Sequence, residues 1–217
     1  MTAGVLVVAK LPVPGMAKTR LAADVGEETA ADLAAAALLD TLAAVDRSGL
    51  PCVVACTGGL SEAARPDQIG SALDRHVVIR QRGDTFGDRL AAAHHDAAVV
   101  LDGEPVLQIG TDTPQLAAER LRLAADLLDH RPAVLGPASD GGWWALGVST
   151  SAHAAGLTGV PMSRADTAAQ TVDLLESQGL EVTRLPELTD VDTIEDAREV
   201  AAHPSCGRHF RAAMEAL

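Results

Sequence analysis

Gly4-Val5-Leu6-Val7-Val8-Ala9 runs directly into Lys10-Leu11-Pro12-Val13-Pro14-Gly15-Met16-Ala17-Lys18-Thr19-Arg20-Leu21. The first six residues have the length and β-branched content of a buried strand. The next twelve place three cations, Lys10, Lys18 and Arg20, in a loop stiffened by Pro12 and Pro14 and loosened by Gly15. A strand that ends in a glycine- and cation-bearing loop and then enters a helix is a common way to hold phosphates. The loop is not a Walker A motif, because Ala17 and Pro12 stand where that pattern needs glycines, and no G-x-G-x-x-G follows the strand. We therefore expect a phosphate clamp of another type. Lys18 and Arg20 would neutralise the charge, with Ala9, Lys10 and the backbone around Gly15 beside them.

Outward from this stretch, strand and helix alternate. Candidate strands are Val5-Ala9, Cys52-Thr57, Val77-Gln81, Pro105-Ile109, Ala133-Gly136, Trp143-Val148 and Glu181-Leu185. Ala- and Leu-rich helices are expected at Glu27-Asp46, Leu60-Ser71, Asp88-Leu101, Pro114-Asp129 and Arg164-Gln178. Strands separated by helices this long imply a mainly parallel sheet covered on both faces, with its ligand at the carboxyl ends of the strands. One antiparallel pairing is expected where Asp140-Gly141-Gly142 joins two strands without a helix between them. We expect one domain over residues 1–217, ending in a helical tail over 193–217 that breaks near Pro204.

Composition narrows the function. The 217 residues are 47 % hydrophobic and only 2 % aromatic, with no tyrosine, so the core must be built from Ala, Leu and Val. The formal charge is −13, which argues against nucleic acid or an anionic membrane as partner while leaving room for a local phosphate pocket. Cys52, Cys56 and Cys206 are an odd set without metal-type spacing and imply no disulfide framework. The early Pro, Gly and cations interrupt any signal-peptide pattern, and no apolar run has membrane-spanning length. A cytoplasmic protein is expected.

Further candidate groups follow other strands. Asp112, in Gly110-Thr111-Asp112-Thr113-Pro114, reads equally as a helix cap or as a carboxylate for Mg²⁺. Asp190-Val191-Asp192 shifts that balance, because residues two apart in an extended segment face the same way, roughly 7 Å apart. Asp192 could also cap a helix starting near Thr193, with Glu195 completing a box. These donors are all hard oxygens, so Mg²⁺ (or Mn²⁺) is favoured over zinc. Gln81, Gly83 and Gly87 lie at a strand end, where they could accept a base or ribose. In Ser139-Asp140-Gly141-Gly142-Trp143-Trp144, the backbone amides of Gly141 and Gly142 could hold an acceptor anion. His94 and His95 sit mid-helix with rings about 100° apart and cannot easily share a metal.

Taken in order, these motifs resemble a known group. Ala-Lys-x-Pro-x-Pro-Gly-x-x-Lys-Thr-Arg-Leu, Gly-x-Asp-x-Pro, Asp-Gly-Gly-aromatic and Leu-x-Asp-Val-Asp-Thr succeed one another here between about Val5 and Ala197. The chain thus resembles the transferase family labelled radical-SAM/selenodomain-associated glycosyltransferases. It is also similar to the 2-phospholactate guanylyltransferases. The resemblance implies a three-layer α/β/α nucleotide-diphospho-sugar transferase (glycosyltransferase A-like) fold. It implies that Lys18 and Arg20 hold nucleotide phosphates, that Asp112, Asp190 and Asp192 bind metal, and that Gln81-Gly87 touches the base. It implies an acceptor near Ser139-Gly142 and Ser163, with Met162 and Arg164 replacing the Trp and Thr that many members carry around that serine.

Three functions remain open on these grounds. The first is a Mg²⁺-dependent nucleotidyltransferase that joins a nucleoside monophosphate from an NTP to a small phosphorylated or carboxylated acceptor, with Lys18, Arg20 and Asp112 in the chemistry. The second is a glycosyltransferase using a nucleotide sugar. The third is a nucleotide-binding module without catalysis. Two cations suit a triphosphate, and the lone Asp112 after the middle strand is one short of an Asp-x-Asp pair.

Overall fold

The computed structural model of the protein describes residues 3–217. The strands are β1 (Gly4–Lys10), β2 (Cys52–Thr57), β3 (Val77–Arg80), β4 (Val106–Ile109), β5 (Ala133–Pro137), β6 (Trp143–Val148) and β7 (Val182–Arg184). They form a seven-stranded sheet in the order β3-β2-β1-β4-β6-β5-β7. β1 is parallel to β2 and β4, β2 to β3, and β5 to β7. β6 runs antiparallel to both β4 and β5. Every strand but β6 therefore points the same way, and the carboxyl ends of β1, β4, β5 and β7 share one edge.

The helices are α1 (Thr19–Val25), α2 (Glu27–Ser48), α3 (Pro66–Leu73), α4 (Phe86–Val100), α5 (Ala118–Leu128), α6 (Thr167–Ser177), α7 (Ile194–Ala202) and α8 (Arg208–Glu215). Alternation along β1 sorts them into layers. Val5, Val7 and Ala9 pack with Leu38, Leu42 and Ile69 of α2 and α3 and with Leu121 and Ala124 of α5. Leu6 faces the other way, onto Ala93 and Ala97 of α4. Leu135, Leu146, Val172 and Leu175 continue that second layer through α6.

The back of α2 is buried as well. Its Ala30, Leu33 and Ala37 meet Ile194, Val200 and Phe210 of α7 and α8. A helix covered on both sides must be lined with small and aliphatic residues all round, which explains its Ala-Leu run. One buried carboxylate interrupts it. Asp40 accepts from the backbone N–H groups of His209 (3.1 Å) and Phe210 (2.8 Å), capping α8 from another helix. Asp40→Asn would turn an amide donor toward these donors. We expect a loss of about 1–2 kcal/mol, or a few degrees in Tm. An unchanged calorimetric Tm would remove Asp40 from this role.

Several helices start where local pattern does not place them. The helix expected from Pro114 begins at Ala118 with no side-chain cap. Its expected first turn is committed elsewhere: the Gln115 Nε2 donates to Thr189 O (2.6 Å), and Pro114 O accepts from Gly207 N–H (2.9 Å). The Leu60-Ser71 helix divides into a 3₁₀ turn, Leu60–Glu62, and α3. Between them Arg65 takes a left-handed φ of 54° and grips Asp32 with two nitrogens at 2.6 and 2.5 Å. α4 starts at Phe86, capped reciprocally by Thr85 and Asp88. The 3₁₀ segment Ser151–Gly159 was not anticipated; its Ala154 and Leu157 are fully buried in the α6-side layer.

The cysteines behave as small hydrophobes. All three are free, and burial pushes the Cys52 thiol up to about 12 and the Cys56 thiol up to about 11. Among the described residues, no helix is long and apolar enough to cross a membrane.

Candidate active site

β1 delivers the cationic loop to the carboxyl edge of the sheet. Just before α1, Lys18 adopts a left-handed backbone, φ 47° and ψ 53°. Its side chain is only 12 % exposed, and Nζ lies 2.9 Å from Asp112 Oδ2 and 2.9 Å from Asp192 Oδ1. Burial works against the ammonium, but the Asp112 and Asp192 carboxylates outweigh it and hold the group above its ordinary value. Arg20, two residues on and largely exposed, reaches Asp192 Oδ2 at 3.1 Å. Lys10 points away from these acids and donates to Met16 O at 2.6 Å, closing the loop on itself. Gly15 supports that closure with a φ of +75°.

Asp112 follows β4, and Asp190 and Asp192 follow β7. Backbone bonds join these segments: Val191 N–H donates to Asp112 O at 2.9 Å, and Ser139 N–H to Leu188 O at 3.1 Å. Val191 is buried among α2 and α7, so its two neighbours project toward the edge, as alternation requires. Asp192 does not cap the following helix. Thr193 is the N-cap of α7 and pairs reciprocally with Asp196 rather than Glu195, which leaves the Asp192 carboxylate to the two cations.

Asp190 and Asp192 gather with a residue placed by sequence in the acceptor turn. Asp140, Asp190 and Asp192 each offer a carboxylate oxygen, and these oxygens lie within 4.8 Å of one another. Asp112 falls outside this group and meets Lys18 instead. Burial and then the charges of Asp140 and Asp192 push the Asp190 carboxyl above its usual range, only partly relieved by a backbone hydrogen bond and, less, by Lys18. Ser139 Oγ donates to Asp190 Oδ1 at 3.2 Å. Beside Asp112, Thr113 Oγ1 and Gln115 Oε1 are buried oxygens without a hydrogen-bond partner. An all-oxygen donor set with surplus negative charge fits a hard divalent cation.

The Ser139-Gly142 turn is not an anion cradle built from its glycine amides. Gly142 N–H donates to Asp140 Oδ1 (2.6 Å) and Gly141 N–H to Ala138 O (3.1 Å), so both donors are already engaged. Gly141 instead packs tightly against Ala165, and Gly141 O accepts from Ala168 N–H at 2.9 Å. Ser163, with a left-handed φ of 59°, lies in the segment that leads to this contact.

Gln81 spans the ends of β1 and β2. Its Nε2 donates to Ala9 O (3.0 Å) and Ala55 O (2.8 Å), which commits both amide hydrogens to the protein. Gly83, at φ +132°, backs onto Asp88 and Arg89, and Gly87 lies against the Leu157 carbonyl. These glycines therefore set close approaches between α4 and its neighbours. His94 is fully buried, and burial lowers its pKa to about 4, so it is neutral.

The comparisons agree with this architecture. A protein of Desulfovibrio desulfuricans G20, provisionally described as a nucleotide-diphospho-sugar transferase, superposes with a TM-score of 0.85 and 28 % identity, over 100 % of this chain and 95 % of that one. A cytidylyltransferase of Leptospira borgpetersenii serovar Hardjo-bovis shares the fold at a TM-score of 0.57 and 17 % identity, over 100 % of this chain and 93 % of its own. Rv0371c of Mycobacterium tuberculosis H37Rv, solved in complex with manganese, does so at 0.53 and 18 %, over 92 % and 98 %. No curated protein matches the chain. Residues 38–164, from within α2 to the segment before α6, match the model of a family described as an uncharacterised protein conserved in bacteria, DUF2064, and the chain belongs to that family.

Proposed function

We propose that the protein is a divalent-metal-dependent nucleotidyltransferase. One observation carries the reading: the Lys18-Arg20 loop at the end of β1 meets Asp112 and Asp192 from beyond β4 and β7, and Asp192 in turn gathers with Asp190 and with Asp140 from the end of β5. Lys18 and Arg20 would bind the phosphates of an NTP, Arg20 through its bidentate fork. Asp140, Asp190 and Asp192 would hold the metal with Asp112 at its margin, and the bound metal would neutralise charge developing on the phosphates. A phosphate or carboxylate oxygen of a small acceptor, entering from the Ser139-Gly142 side near Ser163, would form the bond to the α-phosphorus. The α–β phosphate bond breaks and pyrophosphate leaves. Such transfer rests on positioning and charge neutralisation rather than on a side-chain base.

Further support comes from the cytidylyltransferase that shares the fold and from the motif order noted above. All 217 residues would then form one nucleotide-binding domain, and the free cysteines support a cytoplasmic setting. The description of the 28 % identical relative favours a second reading, transfer of a sugar from a nucleoside diphosphate. The two separate in one assay. The protein is incubated with each NTP or with nucleotide sugars, Mg²⁺ or Mn²⁺, and a panel of phosphorylated and carboxylated acids. Pyrophosphate release supports the first reading. Free nucleoside diphosphate from a nucleotide sugar, with no pyrophosphate from any NTP, replaces it with the second. Nucleotide binding without either product leaves a non-catalytic module.

A further inference from the structure

Lys10 and Lys18 are the only lysines in a chain with 17 Lys and Arg together, so arginine supplies fifteen of its cations (17 less 2). Among the described residues, arginine makes the other ion pairs with carboxylates, apart from a histidine contact. At position 18 the cation is instead a compact ammonium, nearly buried, with one Asp on either side at equal distance. An ammonium holds carboxylates as a point charge without a rigid fork, so it can leave them for another anion with little geometric penalty. Its two partners come from different strands, β4 and β7, and one of them belongs to the acidic group that fits a metal.

We propose that Lys18 is an exchangeable internal cation: it neutralises Asp112 and Asp192 until nucleotide phosphates draw it away, and so couples metal binding to nucleotide binding. This rests on the functional reading above and deepens it. A divalent cation at Asp192 takes its oxygens at about 2.1 Å. It cannot share that carboxylate closely with an ammonium 2.9 Å away without strong repulsion. Metal alone must therefore compete with Lys18. A nucleotide's phosphates give Lys18, and Arg20 on the other Asp192 oxygen, another anion, after which the carboxylates are free for the metal. By linkage, the metal must tighten nucleotide binding by the same factor.

The test uses metal alone. Mn²⁺ is titrated into the nucleotide-free protein while free Mn²⁺ is followed by electron paramagnetic resonance, for the wild type, Lys18→Met and Lys18→Gln. Both variants should bind Mn²⁺ tighter than the wild type by about tenfold or more, within the usual range of coupling between sites. Equal or weaker binding overturns the proposal. Should neither variant fold, the wild type decides, because lysine labelling leaves only two side-chain signals to resolve. Saturating Mg²⁺ should move the Lys18 signal and spare that of Lys10. A Lys18 signal that stays in place while Mg²⁺ binds overturns the exchange. These readouts involve no nucleotide, so their failure is distinct from failure of the transferase reading, which would show as a wild type that binds no nucleotide with or without metal.

Discussion

Asp192→Asn is expected to lower pyrophosphate release by about 10²–10³-fold, the size of loss typical when one group of a preorganised electrostatic site is removed. The residue has three connections at once. It accepts from Lys18 and Arg20 and shares the acidic group with Asp140 and Asp190. The amide keeps the shape and removes the charge, so both cations lose their shared anchor and the metal group loses a ligand. Stability should move the same way. Lys18 retains only Asp112, and losing a charge-assisted bond costs about 1.5–3 kcal/mol. Asp190→Asn should separate the two effects. Asp190 receives a hydroxyl from Ser139 but, among the described residues, no cation within ion-pair distance, and it lies close to two other carboxylates. Removing its charge should also reduce turnover, yet leave the metal-free protein as stable or slightly more so. Mn²⁺ affinity, turnover and Tm measured on both variants check this. Wild-type turnover and metal affinity in Asp192→Asn would remove that residue from the site.

The opposite signs expected for two acids only two residues apart show what could and could not be read from the chain. Lys18 and Asp112 lie beyond the apolar strands β1 and β4, and Asp190 and Asp192 beyond the mixed strand β7; in a mainly parallel sheet such strand ends share one edge. That pattern agrees with the contacts of Lys18 with Asp112 and Asp192. The place of Asp140 was not legible in it. It depends on β5 lying between β6 and β7, a long-range order that no local window encodes. Asp-Gly-Gly read as an ordinary hairpin turn, which it also is.

The elements show the same division. Cys52–Thr57 and Trp143–Val148 begin and end as pattern predicts, because Pro51, Gly58 and Gly142 punctuate them locally. The start of α5 moved to Ala118 because Gln115 is held by Thr189 and Pro114 by Gly207, both from distant segments. Asp192 was free to serve cations because Thr193 and Asp196 took over the capping. At α5 a tertiary contact outweighed a local preference worth only about 1 kcal/mol, whereas at α7 one local cap displaced another.

Gly141→Val tests whether the Asp140 turn is a rigid part of the site. A Cβ at residue 141 would lie 2.6 Å from Ala165 Cα and closer still to its carbonyl, and the glycine already sits at φ +88°. Backbone cannot swing aside as a long side chain would. Ala165 is moreover tied in place, because Ala168 N–H donates to Gly141 O and Thr167 N–H to Arg164 O. Left-handed strain alone costs about 1–2 kcal/mol in a residue with a Cβ. Forced separation of two backbone segments brings the expected total to about 3–5 kcal/mol, at the diagnostic end of single substitutions. In a protein of this size that corresponds to a fall in Tm of about 6–20 °C. Any displacement of the turn also carries Asp140 away from Asp190 and Asp192, so the folded fraction should bind Mn²⁺ more weakly. Gly110→Ala is the matched control at the same edge. Its Cβ would meet nothing within 4 Å, and its backbone needs no left-handed conformation. It should leave stability within about 0.5 kcal/mol of the wild type. A Gly141→Val protein as stable as Gly110→Ala, with unchanged Mn²⁺ affinity, would mean that the turn yields freely and that Asp140 is not held in register with the other two acids.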